Sequence, residues 1–253
     1  QELILFALST SDFFSHAAFQ GGTCLRIVHG LSRFSEDMDF ILKARDTDFS
    51  WQQYLTLIGT TLEQYGYSVE LQDTSHADET VKKAFIKDDS IGKVLRLAYA
   101  NRQGTQRKIR IKLEIDSNPP GGGEFESAFI GFPAPSSITV ETLPTHFAGK
   151  SHALLCRKYE KGRDWYDFLW YLGNKTPVNY RRLSAALDQT GPWEGQGITV
   201  DRDWYIEEIE RRIGEMDWNR AKDDVAPFIS SQEQGLLNKW SADYFLSALE
   251  RLP

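Results

Sequence analysis

Apolar positions in the first half of the chain recur with two different periods. A spacing of three to four residues, typical of amphipathic helices, marks QELILFAL at the start and WQQYLTLIGTTLEQYGY, which Gly66 closes. Alternation of apolar and polar residues, typical of half-buried strands, marks DMDFILKA, SVELQD, KVLRLAYA and RKIRIKLEID. The last two flank NRQGTQ and are predicted to pair as a hairpin.

A strand, a glycine turn and a short helix are predicted between the first helix and DMDFILKA. HAAFQGG has the composition of a short strand that runs into a turn. TCLRIVHG follows with helical spacing and ends at Gly30, a residue type that favours the C-terminal cap of a helix. This segment therefore leads directly from a strand into the N-terminus of a helix.

The second half of the chain begins after a stretch rich in proline and glycine. SNPPGGGEFESAFIGFPAPSS, residues 117–137, is predicted to be a loop and a domain boundary. Helical spacing then marks LPTHFAGKSHALLCRKYEKGRDWYDFLWYLG, residues 178–189, WYIEEIERRIGEM and residues 232–252. We predict an α+β chain: a core over residues 1–137, with a mixed or antiparallel sheet flanked by helices, and an all-helical half over residues 138–253.

Composition narrows the possible partners. The chain has 253 residues, which suffices for one large or two small domains with a buried core. Its net charge of −7 argues against broad attachment to nucleic acid or acidic membranes. Two cysteines, no signal peptide and no apolar run of membrane length favour the cytoplasm and no membrane association.

Two acids near the predicted turn are candidates for metal binding. Asp37 and Asp39 alternate on a predicted strand and point to one face, about 6–7 Å apart, where they repel each other unless a cation lies between them. Mg²⁺ prefers such oxygen ligands and keeps further positions for water and phosphate. Glu114, on a neighbouring strand, is the expected third ligand, with Asp116 in reserve. The alternative is a solvated strand face.

The glycine turn is a candidate phosphate site. Gly21, Gly22 and Thr23 follow a strand and open a helix, where backbone N–H groups and the helix dipole favour an anion. An ordinary strand–helix turn is the alternative. Arg33 and Ser35, just before the acids, could hold phosphate oxygens, although Ser35 could instead cap the loop.

Charged residues also recur in the helical half. Lys150 and Arg157 are predicted to share one helix face, and Asp164 and Asp167 the next. Their alternative role is ion pairing on helix surfaces, for example between Arg163 and Asp167. Two basic clusters could hold an RNA backbone, or could be solvated faces. They are Arg107-Lys108-Arg110-Lys112 and Arg157-Lys158-Lys161-Arg163.

The order of these features resembles the polymerase-β-type nucleotidyltransferases, whose signature is a Gly-Gly or Gly-Ser turn, a spacer and a D-x-D or D-x-E pair. The longer spacer here points to one branch, because GGTCLRIVHGLSRFSEDMDF is similar to the first motif of the AbiEii/AbiGii-type toxins, GGTAL…R-x-S-x-D-[ILM]-D-[FL]. That branch also carries K-x-x-A-x-x-x-R and then R-D-x-x-D, which Lys150, Ala153, Arg157 and Arg163-Asp164-Trp165-Tyr166-Asp167 match. The middle motif, K-[hydrophobic]-D, reads Lys112-Leu113-Glu114 here.

The resemblance implies a function and roles for these residues. It implies a polymerase-β-type core whose cleft the helical half closes, with Mg²⁺ or Mn²⁺ on Asp37, Asp39 and Glu114. It places Lys150 on the triphosphate and gives Asp164 a supporting catalytic role. The implied substrates are a nucleoside triphosphate and a tRNA 3′ end, and the implied partner is the antitoxin of a bacterial toxin–antitoxin or phage-defence pair. Nucleotidyl transfer to a protein or small molecule, a kinase-like reaction and a non-catalytic nucleotide-binding module stay open.

Overall fold

The computed structural model describes residues 1–73, 90–100 and 106–253 of the chain, which fall into two compact units. The first unit comprises Gln1–Gly30, Ser35–Pro119 and Phe125–Glu141. The second comprises Leu31–Phe34, Pro120–Glu124 and Thr142–Pro253. None of the helices in these described stretches is both long and apolar enough to cross a membrane.

The first unit contains the predicted helices and strands in the predicted order, together with further elements that the hydrophobic pattern did not predict. Its helices are α1 (Glu2–Ser9), α2 (Phe13–His16), α3 (Gly21–His29) and α4 (Gln52–Gln64). Its strands are β1 (Ala17–Gln20), β2 (Met38–Leu42), β3 (Ser68–Asp73), β4 (Ser90–Ala100), β5 (Gln106–Asp116), β6 (Phe125–Ile130) and β7 (Ser136–Glu141). The pattern did not predict α2, β6 and β7. Gly30 caps α3 with φ of 77°, as predicted.

The strands form one mixed sheet in the order β3-β4-β5-β2-β1-β7-β6. β2 pairs in parallel with β5, and β1 in parallel with β7, whereas the remaining neighbours are antiparallel. The prediction of a mixed sheet flanked by helices is therefore confirmed. β4 and β5 pair as the predicted hairpin, but its connecting residues, 101–105, lie outside the described part of the chain, as does His76.

One face of the sheet is packed into an apolar core. Residues of alternate positions in β2, such as Met38, Phe40 and Leu42, belong to this core, together with Leu113 of β5. Aromatic rings fill its centre, and Phe13 meets the ring of Phe40 at 5.1 Å between centroids. Because side chains alternate along a strand, the intervening positions of β2 and β5 face the other side of the sheet.

The prediction of a loop over residues 117–137 is wrong, because this stretch contains β6 and the start of β7. The glycines and prolines lie at its two ends and in the hairpin turn, where Pro133 follows a cis peptide bond. β6 lies at the edge of the sheet and is mostly exposed, so its residues lack a clear apolar alternation. The proposed domain boundary after residue 137 consequently falls inside β7.

The second unit is built from helices in its described residues. These are α5 (Leu143–Cys156), α6 (Gly162–Gly173), α7 (Tyr180–Gln189), α8 (Arg202–Glu215), α9 (Trp218–Val225), α10 (Ser231–Gln234) and α11 (Ala242–Leu249), with 3₁₀ turns at Ala226–Phe228 and Gly235–Lys239. The pattern missed α9. It also predicted one run over 232–252, which a new N-terminal cap interrupts: Ser241 accepts a hydrogen bond from the Tyr244 amide.

Aromatic side chains dominate the packing of the second unit. Trp218 and Phe245 stack at 4.1 Å between ring centroids, and Trp165 meets both rings edge-on at 5.2 and 5.3 Å. Phe147 and Tyr171 stack at 4.3 Å and join α5 to α6. All of these rings are buried except that of Trp218, which is partly buried, so helix spacing in this unit is set by large rigid side chains.

The close contact between α6 and α9 leads to a prediction about Gly162. A Cβ atom at Gly162 would lie 1.7 Å from the backbone oxygen of Ala221, and a backbone atom cannot rotate away. We expect Gly162→Ala to lower the free energy of unfolding by roughly 1–3 kcal/mol, as measured by urea denaturation.

The matched control is Gly173→Ala at the other end of α6, where a Cβ would have no neighbour within 4 Å. This change should leave the stability unchanged or raise it by up to about 1 kcal/mol. Equal stability of the two variants would contradict the tight α6–α9 contact.

Candidate active site

Gly21 joins β1 to α3 and touches an acid of the candidate site. Its φ is +78°, a conformation that other residues rarely adopt, and a Cβ at this position would lie 2.2 Å from Oδ2 of Asp39. Glycine is therefore required for two independent reasons. The Asp39 carboxylate lies beside the first residue of α3, where the positive end of the helix dipole stabilises negative charge.

Asp39 and Glu114 are direct neighbours on one face of the sheet. In the parallel pairing of β2 with β5, Asp39 is the register partner of Glu114. Gln20 of β1 is its partner on the other side. Paired residues on adjacent strands are about 4.8 Å apart, and their side chains point to the same face. The sheet thus brings two carboxylates, distant in sequence, next to each other and opposite the apolar core.

Asp37 lies just before β2, not within it as the alternation predicted. Its side chain is exposed, and its backbone oxygen accepts a hydrogen bond from the buried Thr23 hydroxyl. Thr23 of the glycine turn therefore fixes the chain that carries the acid pair. Nearby, the Ser35 backbone oxygen accepts a hydrogen bond of 3.0 Å from the side-chain amide of Gln1.

The register distinguishes the two candidates for the third ligand. Asp116 pairs with Ile41, two positions further along β2 than Asp39, and its Oδ1 accepts a hydrogen bond from the Asn118 amide at 3.0 Å. Glu114 lies beside Asp39 but forms an ion pair of 2.5 Å with Lys112. The geometry therefore favours Glu114, with Lys112 as its counter-ion.

The carboxylates on this face are ligands of the type that a hard divalent cation prefers, but they do not converge on one position. Carboxylate oxygens are the ligands that Mg²⁺ prefers. Within the stretches that the structure describes, however, no group of three or more His, Cys, Asp or Glu side chains is arranged so that it could hold a metal ion. Metal binding by all three acids would therefore require a change in the side-chain conformation of at least one of them.

A buried ionic network occupies the second unit. The Lys150 ammonium lies 2.9 Å from Oδ1 of Asp164 and 2.9 Å from Oδ2 of Asp167. Arg33 donates two hydrogen bonds of 2.6 Å to the two oxygens of Asp167. Arg157 lies 2.8 Å from Oδ2 of Asp164. The two carboxylates share one face of α6 because they are three residues apart.

The charges of this network stabilise one another. Burial alone would raise the pKa of Asp164, but Lys150 and Arg157 outweigh it and hold that pKa far below its ordinary value. Burial would likewise lower the pKa of Lys150, yet Asp164 and Asp167 outweigh it and raise the pKa. Asp164 and Lys150 are consequently both ionised at neutral pH, although the exposed fractions of their side chains are only 2% and 15%.

The structure connects the two sequence motifs through Arg33. Arg33 comes from the segment before the acid pair, yet its side chain is 3% exposed and bound to Asp167 of α6. Spacing in sequence could not reveal this pair, since 134 residues separate its members. The suggested partner of Asp167, Arg163, instead pairs with Asp224 at 3.4 Å.

Further contacts hold the segment Leu31–Phe34 within the second unit. The Ser32 hydroxyl lies 2.8 Å from the Tyr166 hydroxyl and donates to Glu233 at 2.7 Å. The Phe34 amide donates to the backbone oxygen of Phe228 at 2.6 Å. Residues near the end of the chain therefore contribute to the anchoring of a segment close to its beginning.

The buried network leads to a stability prediction. Asp167→Asn keeps the size of the side chain but leaves the buried Arg33 and Lys150 short of one negative charge. We expect the free energy of unfolding to fall by about 3–5 kcal/mol in chemical denaturation.

Asp224→Asn is the control, because the Arg163–Asp224 pair has side chains that are 29% and 28% exposed. It should cost no more than about 1 kcal/mol. A similar loss for both variants would show that burial does not strengthen the network.

Two solved structures share the fold of this chain. At the fold level the chain is similar to a protein from H. pylori described as a candidate nucleotidyltransferase, with 15% identity, a TM-score of 0.54 and coverage of 100% of this chain and 94% of that chain. It is also similar to JHP933 from Helicobacter pylori, with 14% identity, a TM-score of 0.51 and coverage of 99% and 90%. No curated protein matches the chain.

The model of one protein family, described as the nucleotidyl transferase AbiEii toxin of type IV toxin–antitoxin systems, matches residues 3–248. This match spans nearly the whole chain and includes both units. It confirms the resemblance stated from the motifs and the expectation of a nucleotidyltransferase. The chain belongs to the AbiEii family of nucleotidyltransferase toxins of type IV toxin–antitoxin systems.

Proposed function

We propose that the protein moves a nucleoside monophosphate from a nucleoside triphosphate to the 3′-terminal hydroxyl of a tRNA, with Mg²⁺ or Mn²⁺ as cofactor. The observation that carries the proposal is the pairing of Asp39 with Glu114 on adjacent parallel strands, with Gly21 against the Asp39 carboxylate. Two neighbouring carboxylates beside a helix N-terminus combine the groups that a metal-bound triphosphate needs.

The glycine turn is assigned to the phosphates. In this proposal the backbone N–H groups of Gly21, Gly22 and Thr23 donate to phosphate oxygens at the N-terminus of α3. The absence of a side chain at Gly21 lets both Asp39 and a phosphate approach the backbone. Thr23 keeps its hydroxyl on the Asp37 backbone, so this residue links the phosphate turn to the acids.

The reaction is a displacement at the α-phosphorus. The acceptor hydroxyl oxygen forms a new bond to that phosphorus, the bond to the bridging oxygen of the β-phosphate breaks, pyrophosphate leaves, and the hydroxyl proton is released. Asp37, Asp39 and Glu114 would hold the metal. When bound, Mg²⁺ would lower the pKa of the acceptor hydroxyl and neutralise charge on the pyrophosphate. The protein would otherwise contribute position and electrostatic stabilisation.

Lys150 and Asp164 are assigned to the same reaction. Lys150 would bind the triphosphate, for which it must exchange at least one of its two carboxylate contacts. Asp164 would orient Lys150 through their 2.9 Å hydrogen bond. Arg33 uses its guanidinium on Asp167 and on the Phe34 backbone oxygen, so direct binding of phosphate would require its release. We therefore propose that Arg33 holds the segment before Asp37.

The acceptor and the biological setting complete the proposal. We propose tRNA as the acceptor, the cytoplasm as the compartment, and a cognate antitoxin or a phage-defence role as the context. A protein or small-molecule acceptor would give labelled products other than RNA. A kinase-like reaction would release a nucleoside diphosphate, and a non-catalytic module would release nothing.

One incubation separates these alternatives. The purified protein is incubated with each α-labelled nucleoside triphosphate, Mg²⁺ and total bacterial RNA, followed by gel electrophoresis and assay of pyrophosphate. The proposal predicts label in the tRNA band and pyrophosphate in equal amounts. Nucleoside diphosphate as the product would instead indicate phosphotransfer, and label in protein would move the acceptor to another class.

Variants of the acids test the assignment of the site. Asp37→Asn, Asp39→Asn and Glu114→Gln should each reduce transfer by at least about a hundredfold, because each removes charge from the metal site. Asp116→Asn should reduce it less than about fivefold, since Asp116 lies further along the sheet. Thermal unfolding of each variant controls for folding. If Asp116→Asn proves more damaging than Glu114→Gln, the choice of Glu114 is wrong.

A further inference from the structure

A cluster of positive charge in the second unit exceeds the negative charge available to it. Four cations lie close enough to the carboxylates of Asp164 and Asp167 for the charges to shift one another's pKa. These cations are Arg33, Lys150, Arg157 and Lys161. Four cations against two carboxylates leave two positive charges in excess. Because several of these groups are buried, water can compensate this excess only partly.

Among the cations of this cluster, Lys161 is the one that forms no direct ion pair with a carboxylate of the described residues. It directly precedes α6 and is half-buried. Within the described parts of the chain, its ammonium has neither a carboxylate partner nor a hydrogen-bond acceptor. The nearby Glu160 lies 3.8 Å from Arg220 instead. An unpaired, partly desolvated ammonium is costly, and a bound anion would remove that cost.

The space beside Lys161 has room for about one phosphate oxygen, and it is lined by three cationic side chains and by one carboxylate that opposes anion binding. A small cavity is bounded by Arg157, Tyr159, Lys161, Asp164 and Arg212, among others. Arg157 contacts Asp164 through Nη1 and lies over the Tyr159 ring, 5.6 Å from its centroid. Arg212 donates to the backbone oxygens of Leu154 and Arg157 and pairs with Glu215 at 3.4 Å, contacts that hold its guanidinium beside the cavity. Phosphate groups are usually bound by arginine guanidinium groups, which can donate two parallel hydrogen bonds, and by lysine ammonium groups.

We propose that Lys161, Arg157 and Arg212 form a binding site for a phosphate group, supplied either by the backbone of an RNA or by a nucleotide. The existence of this site does not rest on the proposed transfer reaction. The overall charge of −7 agrees with a local site of this kind rather than a broad basic surface.

The titration of Lys161 gives the site a recognisable pH dependence. Burial lowers the pKa of Lys161 to about 8, Arg157, Lys150 and Arg163 push it in the same direction, and Asp164 opposes them. The ammonium is therefore present at pH 7 and largely neutral well above pH 8. Phosphate binding should weaken as the pH rises through this range, and it should draw a proton onto Lys161.

A binding experiment on the full chain tests the site directly. Fluorescence anisotropy with a labelled single-stranded oligoribonucleotide, and competition with a non-hydrolysable nucleoside triphosphate analogue, are measured at pH 7 and pH 9. Lys161→Met should raise the dissociation constant of one probe by about tenfold at pH 7. For the RNA it should also lower the slope of log affinity against log salt by about one.

Two further variants make the result specific. Lys161→Arg should bind within about threefold of the natural protein at pH 7 and lose the weakening at pH 9, because arginine does not titrate there. Lys158→Met, at an exposed neighbour, should change binding less than about twofold. Thermal unfolding of Lys161→Met should show no loss of stability, since the change removes repulsion among cations.

The two probes identify the source of the phosphate. A loss confined to the oligoribonucleotide assigns the site to an RNA backbone, and a loss confined to the analogue assigns it to the nucleotide. If Lys161→Met binds both probes as the natural protein does, or if Lys161→Arg keeps the pH dependence, the proposal is overturned.

Discussion

The parallel pairing of β2 with β5 is the constraint on which the candidate site depends. Its register makes Asp39 the neighbour of Glu114 and leaves Met38 and Leu113 on the apolar face. A shift by one residue would turn every side chain of β2 to the opposite face and bury the carboxylate. Burial of the apolar side chains therefore determines the strand register, and the register determines that the acids lie side by side on the opposite face.

A second constraint acts at the start of α3. The Asp39 carboxylate lies so close to Gly21 that no side chain fits between them, and Thr23 binds the Asp37 backbone. The turn proposed to bind phosphate and the acids proposed to bind metal are thus parts of one structure within the first unit. A substitution in the turn should therefore alter the position of the acids without altering the strand pairing of the sheet.

The buried ions of the second unit raise a different physical question. Burying Lys150, Asp164, Asp167 and Arg33 costs desolvation energy, and apolar residues would often stabilise a fold at least as well. Their arrangement is consistent with a functional use of charge at a defined place. The bidentate Arg33–Asp167 pair also anchors the chain four residues before Asp37, so it ties helix α6 to the segment that leads to the acid pair.

Sequence patterns predicted those parts of the fold that local periodicity controls. They located α1, α3, α4 and the strands β1 to β5, because these elements alternate clearly between apolar and polar positions. They missed β6, an exposed edge strand between glycine- and proline-rich turns, and α9, a short helix of mostly polar residues. In both elements, tertiary packing outweighs the local signal.

The candidate site was predictable only in part, for a similar reason. The glycine turn and the acid pair are neighbours in sequence, so their spacing identified them. The pairing of Asp39 with Glu114 depends on strand register, and the bond between Arg33 and Asp167 depends on the packing of distant segments. Neither of these contacts produces a periodic pattern in the sequence. The alternation of RKIRIKLEID identified Glu114 as a candidate, whereas the family motifs supplied the roles of Lys150 and Asp164.

The most direct test of the account is metal binding to the acids. Titration of the purified protein with Mn²⁺, followed by electron paramagnetic resonance of the free ion, measures binding without any assumption about the acceptor. We expect one site that Asp39→Asn weakens by at least about tenfold, whereas Asp48→Asn, at an exposed acid away from β2, leaves it unchanged. Equal Mn²⁺ binding by the natural protein and Asp39→Asn would contradict the assignment of the paired carboxylates as the metal site.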